Sequence, residues 1–170
     1  FEVICPKPAA AYPDFGMENV DKEHLLPLSY APEDLVRVEG EGIWTNGIVC
    51  MRKGAGEALL RMFRAAAKDG MRLGITSGFR SAEVQEALYT YWMRVEGVRA
   101  KAFVAPPGGS EHQLGIAVDL TGQSLGYEGT PLNFGEAPEG RWLETHAAQF
   151  GFALSYPKGR EAITGYTHEP

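Results

Sequence analysis

The sequence predicts an α+β domain with a small, mainly antiparallel sheet packed by helices, and three observations carry that prediction. Helical apolar spacing comes first along the chain and short alternating runs follow it, the order of an α+β fold and not of a βαβ repeat. A length of 170 residues suits a single domain, whose chain buries roughly 70% of the surface it exposes when unfolded. Hydrophobic residues at 44% and charged residues at 22% match a globular protein and exclude a disordered one. There is no internal repeat and no low-complexity tract.

Pro6, Pro8 and Pro13 mark an irregular N-terminal segment. From Asn19 to Val38, Pro27 and Pro32 break up extended-looking sequence into a strap laid over the domain. The first helix is predicted over Ala55–Asp69, where Leu59, Met62, Phe63 and Ala66 recur every three or four residues and Gly70 follows as the cap. Met71, Leu73 and Ile75 alternate as a strand buried on one face. Ser81 is the expected N-cap of a second helix, with Glu83 and Glu86 in its first turns and an apolar stripe of Val84, Ala87, Leu88 and Tyr91. Pro106-Pro107-Gly108-Gly109 is a loop with no helix directly after it, so it is not a phosphate cradle. Ile116, Val118 and Leu120 predict a strand with Ala117 and Asp119 on its other face. Gly122 to Gly140 reads as a long surface excursion, Arg141–Phe150 as a third helix closed by Gly151, and Phe152, Leu154 and Tyr156 as a last strand before a turn at Pro157-Lys158-Gly159.

Charge narrows the function classes. Sixteen Lys and Arg stand against 22 Asp and Glu, a net charge of −6, which leaves no basic footprint for nucleic acid or anionic lipid. No run approaches the ~18 apolar residues of a membrane span. The first residue is Phe1 and not Met, so further sequence is expected upstream; any signal peptide or anchor would lie there, and its absence here is no argument for the cytoplasm. Cys5 and Cys50 are too few for a metal site. Paired, they would close a loop of about 46 residues and stabilise the fold by ~4 kcal/mol. On spacing alone, a disulfide and two separate thiols are equally open.

One stretch concentrates chemistry. Ser110-Glu111-His112-Gln113-Leu114-Gly115-Ile116-Ala117-Val118-Asp119 sets a His after a Gly-rich loop and an Asp seven residues on, within an apolar strand. An ionised carboxylate there must be paired, hydrogen-bonded or bound to metal. His nitrogen and Asp oxygen both suit zinc, and a catalytic zinc takes three protein ligands with one position open for water. By itself the pair is weak: a lone buried Asp more often accepts backbone hydrogen bonds, and a lone His more often packs or caps.

Four motifs in register raise that weight. Ser77-Gly78-Phe79-Arg80-Ser81 with Gln85, the 110–119 stretch, Phe150-Gly151-Phe152, and the tail Ile163-Thr164-Gly165-Tyr166-Thr167-His168-Glu169-Pro170 together resemble the VanY-like D-alanyl-D-alanine carboxypeptidases. Lys22, Pro27, Tyr30, Pro32 and Leu35-Val36 resemble that family's N-terminal strap. The likeness spans residues 19–170 and leaves 1–18 as an N-terminal extension. It implies the fold shared by Hedgehog and D-Ala-D-Ala peptidases, and a zinc carboxypeptidase that includes L,D-specific members. Position by position, it implies His112 and Asp119 as zinc ligands, Glu169 as the catalytic base, and Arg80 as the cation that polarises the scissile carbonyl. Gln85, Ser110 and Ser77 match positions near the substrate. The implied partner is a peptidoglycan stem peptide or precursor, trimmed of a C-terminal D-alanine at a D,D- or L,D-bond, and the implied location is extracytoplasmic.

Two departures qualify the likeness. The family tail runs Glu-Pro-Trp-His, and its His is the third zinc ligand; here the last residue is Pro170, and the third ligand is expected just beyond it. Were Pro170 the true end, two ligands would remain, since His168 lies on the wrong side of Glu169, and a non-catalytic peptidoglycan-binding module would be the rival. A phage-type cell-wall endopeptidase on the same scaffold is a second rival. Ser155 replaces the Arg usual before Tyr156-Pro157. Glu111 competes for the base role but is in register for a supporting one. His24 and His146 read as surface or structural residues, and Trp44, Trp92 and Trp142 as core or cleft-wall aromatics.

Overall fold

The main core forms where the first helix meets a short mixed sheet. The computed structural model describes residues 5–9, 11–13, 15, 19–128 and 133–168. Its strands are β1 (Leu35–Arg37), β2 (Trp44–Thr45), β3 (Cys50–Arg52), β4 (Leu73–Ser77) and β5 (Asp119–Gly122). Its α-helices are α1 (Lys53–Lys68), α2 (Ala82–Glu96), α3 (Pro138–His146) and the one-turn α4 (Glu161–Thr164). β1 and β3 pair antiparallel in a two-stranded sheet; β4 is the centre of the other, parallel to β2 and antiparallel to β5.

Helix α1 follows its apolar spacing closely. Gly56, Leu59, Met62, Phe63 and Ala66 are buried on one stripe, and the helix stops at Asp69 with Gly70 in a left-handed conformation. Asp69 accepts the indole N–H of the buried Trp142 at 2.8 Å, tying α1 to α3. Leu59, Met62 and Ile75 are fully enclosed, and each contributes about 1.5–3 kcal/mol of transfer free energy. A second, smaller cluster gathers Val20, Leu26, Tyr30 and Leu114 under the strap, with Tyr12 and Phe15 packed against it.

Cys5 and Cys50 form a disulfide with Cα atoms 5.9 Å apart, which resolves what their spacing left open. It pins the N-terminal segment to β3. Trp44 stacks on Tyr127 at 5.1 Å, and Trp142 stacks on His146 at 4.4 Å.

Four local expectations need correction. Of the stripe predicted for α2, Val84, Ala87 and Tyr91 are exposed and only Leu88 turns inward; the inward face is Ala82 and Gln85, with Leu88 and Trp92 below them, because α2 packs on a cleft and not on the core. Strand β5 begins only at Asp119. Ile116 turns to the strap cluster while Val118 and Leu120 turn to the main core, so three residues in alternation serve two cores. Residues 152–156 form no strand, and Leu154 is exposed. The 122–140 stretch is not simply superficial, for Phe134, Ala137 and Glu139 are buried. Glu139 accepts the backbone N–H of Ser124 at 3.0 Å and the Ser124 hydroxyl. Burial pushes its carboxyl up, but these hydrogen bonds outweigh that and hold it below the usual carboxylate range.

Candidate active site

A sheet irregularity begins the site. The β4–β5 register shifts between Ile75 and Ser77, which brings Ser77 opposite Asp119 at the sheet's end. The chain then turns through Gly78, where a Cβ would lie 2.7 Å from the Cys50 carbonyl oxygen, so only glycine lets this turn press on β3. Phe79 N–H donates to that same carbonyl at 2.7 Å. Arg80 leaves the turn just before α2, whose N-cap Ser81 accepts the Val84 N–H at 3.3 Å.

The 3-10 turn Glu111–Leu114 carries His112 and is held on both sides. Ser110, buried, accepts the His112 N–H at 3.4 Å, and the Arg80 N–H donates to the His112 carbonyl at 3.2 Å. Gly115 closes the turn at φ +72°, and its carbonyl accepts the Arg52 N–H at 2.8 Å. Gln113 anchors the turn to the strap, donating to the Pro27 and Tyr30 carbonyls at 2.9 and 3.1 Å.

Functional groups then converge. Arg80 donates through Nη1 to Gln85 Oε1 at 2.9 Å and through Nη2 to Ser77 Oγ at 3.1 Å, and Nη2 lies 3.5 Å from Asp119 Oδ2. Gln85 is only 2% exposed, and its amide nitrogen donates to the Ala105 carbonyl at 2.7 Å, so both ends of this amide are committed. His112 Nδ1 lies 2.7 Å from the Gly78 carbonyl oxygen, which can only accept; Nδ1 therefore carries the proton. Nε2 faces Asp119 Oδ1 at 3.4 Å. Burial raises the Asp119 pKa, but the His112 contact and charge and the Arg80 guanidinium hold the carboxyl below its ordinary value.

This arrangement bears on metal binding. With Nδ1 committed to a carbonyl, Nε2 is the ring nitrogen left to face Asp119, and its lone pair can share a cation with that carboxylate. A backbone-oriented imidazole beside a carboxylate is a fitting pair of zinc donors. Among the described residues no third His, Cys, Asp or Glu joins them. His168, whose Nδ1 donates to the Tyr156 carbonyl at 3.1 Å, does not complete the set. Glu169 and Pro170 lie outside the described residues.

His112, Asp119, Arg80 and Ser110 open onto one cleft of about 250 Å3, walled by Leu88, Trp92, Phe103, Val104, Tyr156 and Tyr166. The structure thus brings six of the seven site residues expected from sequence into one cluster. The aromatic wall was not assigned from sequence beyond Trp92 as a cleft candidate, although Tyr166 lies within the tail motif and Tyr156 directly follows Ser155. Burial pushes the Tyr166 phenol up to about 12, with the charges of Asp21 and Glu111 acting the same way. Ser155 donates to Glu111 at 2.7 Å, which ties that carboxylate beside the cleft.

Known proteins supply independent comparison. The family model described as VanY D-alanyl-D-alanine carboxypeptidase matches residues 49–170. YodJ of Bacillus subtilis strain 168, named as a provisional carboxypeptidase, is 41% identical over 163 residues, covering 93% of this chain. The chain spans 59% of the length of that curated relative. The solved LdcB LD-carboxypeptidase aligns at a TM-score of 0.77 and 39% identity, over 89% of this chain and 72% of that one. A VanY D,D-pentapeptidase variant, solved in complex with Zn(II), aligns at 0.72 and 27% identity, over 92% of this chain and 85% of that one. Helices and small sheets in this arrangement are therefore those of the VanY and LdcB peptidases.

Proposed function

This chain belongs to the VanY family of D-alanyl-D-alanine carboxypeptidases, and on that premise we propose that it removes a C-terminal D-alanine from peptidoglycan stem peptides with the aid of zinc. The observation that carries this reading is the convergence of His112, Asp119 and Arg80 on one small cleft. His112 through Nε2 and Asp119 through Oδ1 would hold the metal, with a third donor from outside the described residues. When bound, zinc lowers the pKa of its water to about 7 and so supplies a nucleophile at neutral pH.

The chain's own residues do the rest. Arg80 is permanently charged, and Gln85 and Ser77 fix the direction of its guanidinium, so it meets the negative charge that develops on the scissile carbonyl oxygen without reorganising. Gln85 and Ser77 act by aiming Arg80, and Ser110 supports the His112 turn at the substrate's edge. Glu169 accepts the proton released on attack and returns it to the departing amine. Trp92, Phe103, Tyr156 and Tyr166 offer an apolar wall to the alanyl methyl groups. The substrate lies outside the cytoplasm, and the Cys5–Cys50 bond suits an oxidising compartment.

The test is release of D-alanine from synthetic stem peptides, a pentapeptide ending in D-Ala-D-Ala and a tetrapeptide with a terminal L,D-bond, followed by mass spectrometry on the full protein. We expect zinc-dependent loss of a single D-alanine, with whichever peptide is cut fixing the bond specificity. Glu169→Ala should lower turnover by at least ~10²–10⁴-fold while zinc stays bound. Peptide binding with no cleavage at saturating zinc would make the protein a binding module, and cleavage only within crosslinked peptides would make it an endopeptidase.

A further inference from the structure

One side chain of the strap reaches across to the far end of the chain. Asp21 folds its neighbours into a tight turn, accepting the N–H groups of Glu23 and His24 at 2.8 Å each, with its own N–H on the His24 carbonyl at 3.3 Å. Lys22 stands within that turn. Its Nζ donates to the carbonyl of Gly165, 143 residues away, and sits 4.0 Å from the centroid of the Tyr166 ring. Gly165 ends α4 in the left-handed conformation at φ +71°, so the ammonium meets a helix C-terminus, where a cation is favourable. Although Lys22 is exposed as a whole, partial desolvation lowers its pKa.

Tyr166 is the link to the cleft. It is 5% exposed, packs edge-on against Tyr156 at 5.1 Å, and both rings line the cleft beside Arg80, His112 and Asp119. The next residues are held from other directions: the Thr167 N–H donates to the Ala102 carbonyl at 2.8 Å, and His168 donates to Tyr156. Glu169 follows directly.

We propose that Lys22 is a positioning residue for hydrolysis: by clasping Gly165 and Tyr166 it sets the cleft wall and the backbone that leads to Glu169. The N-terminal strap thereby controls turnover by a cleft it does not line. This inference rests on Glu169 and the cleft having the roles given above.

The test uses the zinc-loaded full protein and compares Lys22→Met, which keeps the apolar stem, with Lys22→Arg, which keeps a cation over the ring. Both are assayed for kcat, KM, zinc content and Tm, well below the Tm of each. K22M should lower kcat three- to tenfold with KM within twofold and zinc unchanged, and K22R should restore kcat to within twofold of wild type. A lowered Tm with unchanged kcat would overturn the proposal and leave Lys22 a staple, as would a kcat loss that K22R does not restore. A change in KM alone would equally overturn it. Tyr166→Leu supplies a second route if K22M fails to fold: by removing the clasped ring it should lower kcat three- to tenfold with zinc unchanged, and an unchanged kcat would overturn the proposal. Wild-type protein that releases no D-alanine fails the functional reading only. The clasp is then decided by amide hydrogen exchange, with faster exchange at Tyr166–His168 in K22M sustaining it and unchanged exchange overturning it.

Discussion

On the polar side of the cleft, Arg80, Ser77, Gln85, His112 and Asp119 are joined by contacts of 2.9–3.5 Å and rise from β4, α2 and the segment leading into β5. On the aromatic side, Trp92 and Phe103 meet at 5.3 Å and Tyr156 and Tyr166 at 5.1 Å, and the two tyrosines stand on irregular chain. Hydrogen bonds and ion pairs are directional, so the polar side fixes charged atoms to within tenths of an ångström. Ring edges and faces tolerate sliding, so the aromatic side fixes a shape. On the proposed function, reaction chemistry belongs with the first kind of construction and choice of peptide with the second. The tyrosine wall also needs ties from elsewhere in the chain, and Lys22 is one.

The sharpest way to break this contrast is Arg80→Ala. If Arg80 acts on developing charge, kcat should fall about 10²–10³-fold with KM nearly unchanged, read from steady-state D-alanine release. A loss confined to KM would move Arg80 into the recognition group and erase the division. Next is the bond behind the polar side. Replacing Cys5 and Cys50 together by Ser should cost about 4 kcal/mol of stability, seen as a lower urea midpoint, while kcat of the folded protein holds within a few-fold. Collapse of kcat in that variant would show that the Gly78 turn, pressed on the Cys50 carbonyl, depends on the N-terminal tether. The smallest effect belongs to the wall. Trp92→Leu removes its edge-to-face contacts with Phe103 and Tyr91 and should raise KM about two- to tenfold without touching kcat. A kcat loss larger than the KM change would place Trp92 with the polar side.

Much of the polar side was legible before any coordinates. Ser81 caps α2 and Gly70 ends α1 by short-range rules of capping and turning, whereas His112 and Asp119 stand out only as a donor pair, and Ser77, Arg80, Gln85 and Ser110 enter through the likeness of their motifs to the VanY family. Misreadings arose where burial is decided at a distance. Val84 and Tyr91 keep helical spacing yet face outward, since the face α2 turns inward carries Gln85, hydrogen-bonded to Arg80 and the Ala105 carbonyl. Ile116 alternates with Val118 and Leu120 yet serves another core, because the turn at Gly115 lies against Pro32, Leu35 and Arg52. Leu154 alternates with Phe152 and Tyr156, but among the described residues no partner strand lies beside it.

The amino-acid sequence by itself determined the class of fold, the first two helices, the donor types at 112 and 119 and the cation at 80. The fold class, the helices and the donor types follow from periodicity, caps and side-chain chemistry, which act over a few residues, and the cation at 80 follows from the likeness of its motif to the VanY family. Only the tertiary structure decided that Cys5 meets Cys50, that Arg80 is aimed by Gln85 and Ser77, and that Lys22 clasps the ring of Tyr166. The first and the last of these contacts join residues far apart along the chain. Spacing cannot report them, because it is the packing of the whole domain that brings such residues within a few ångströms.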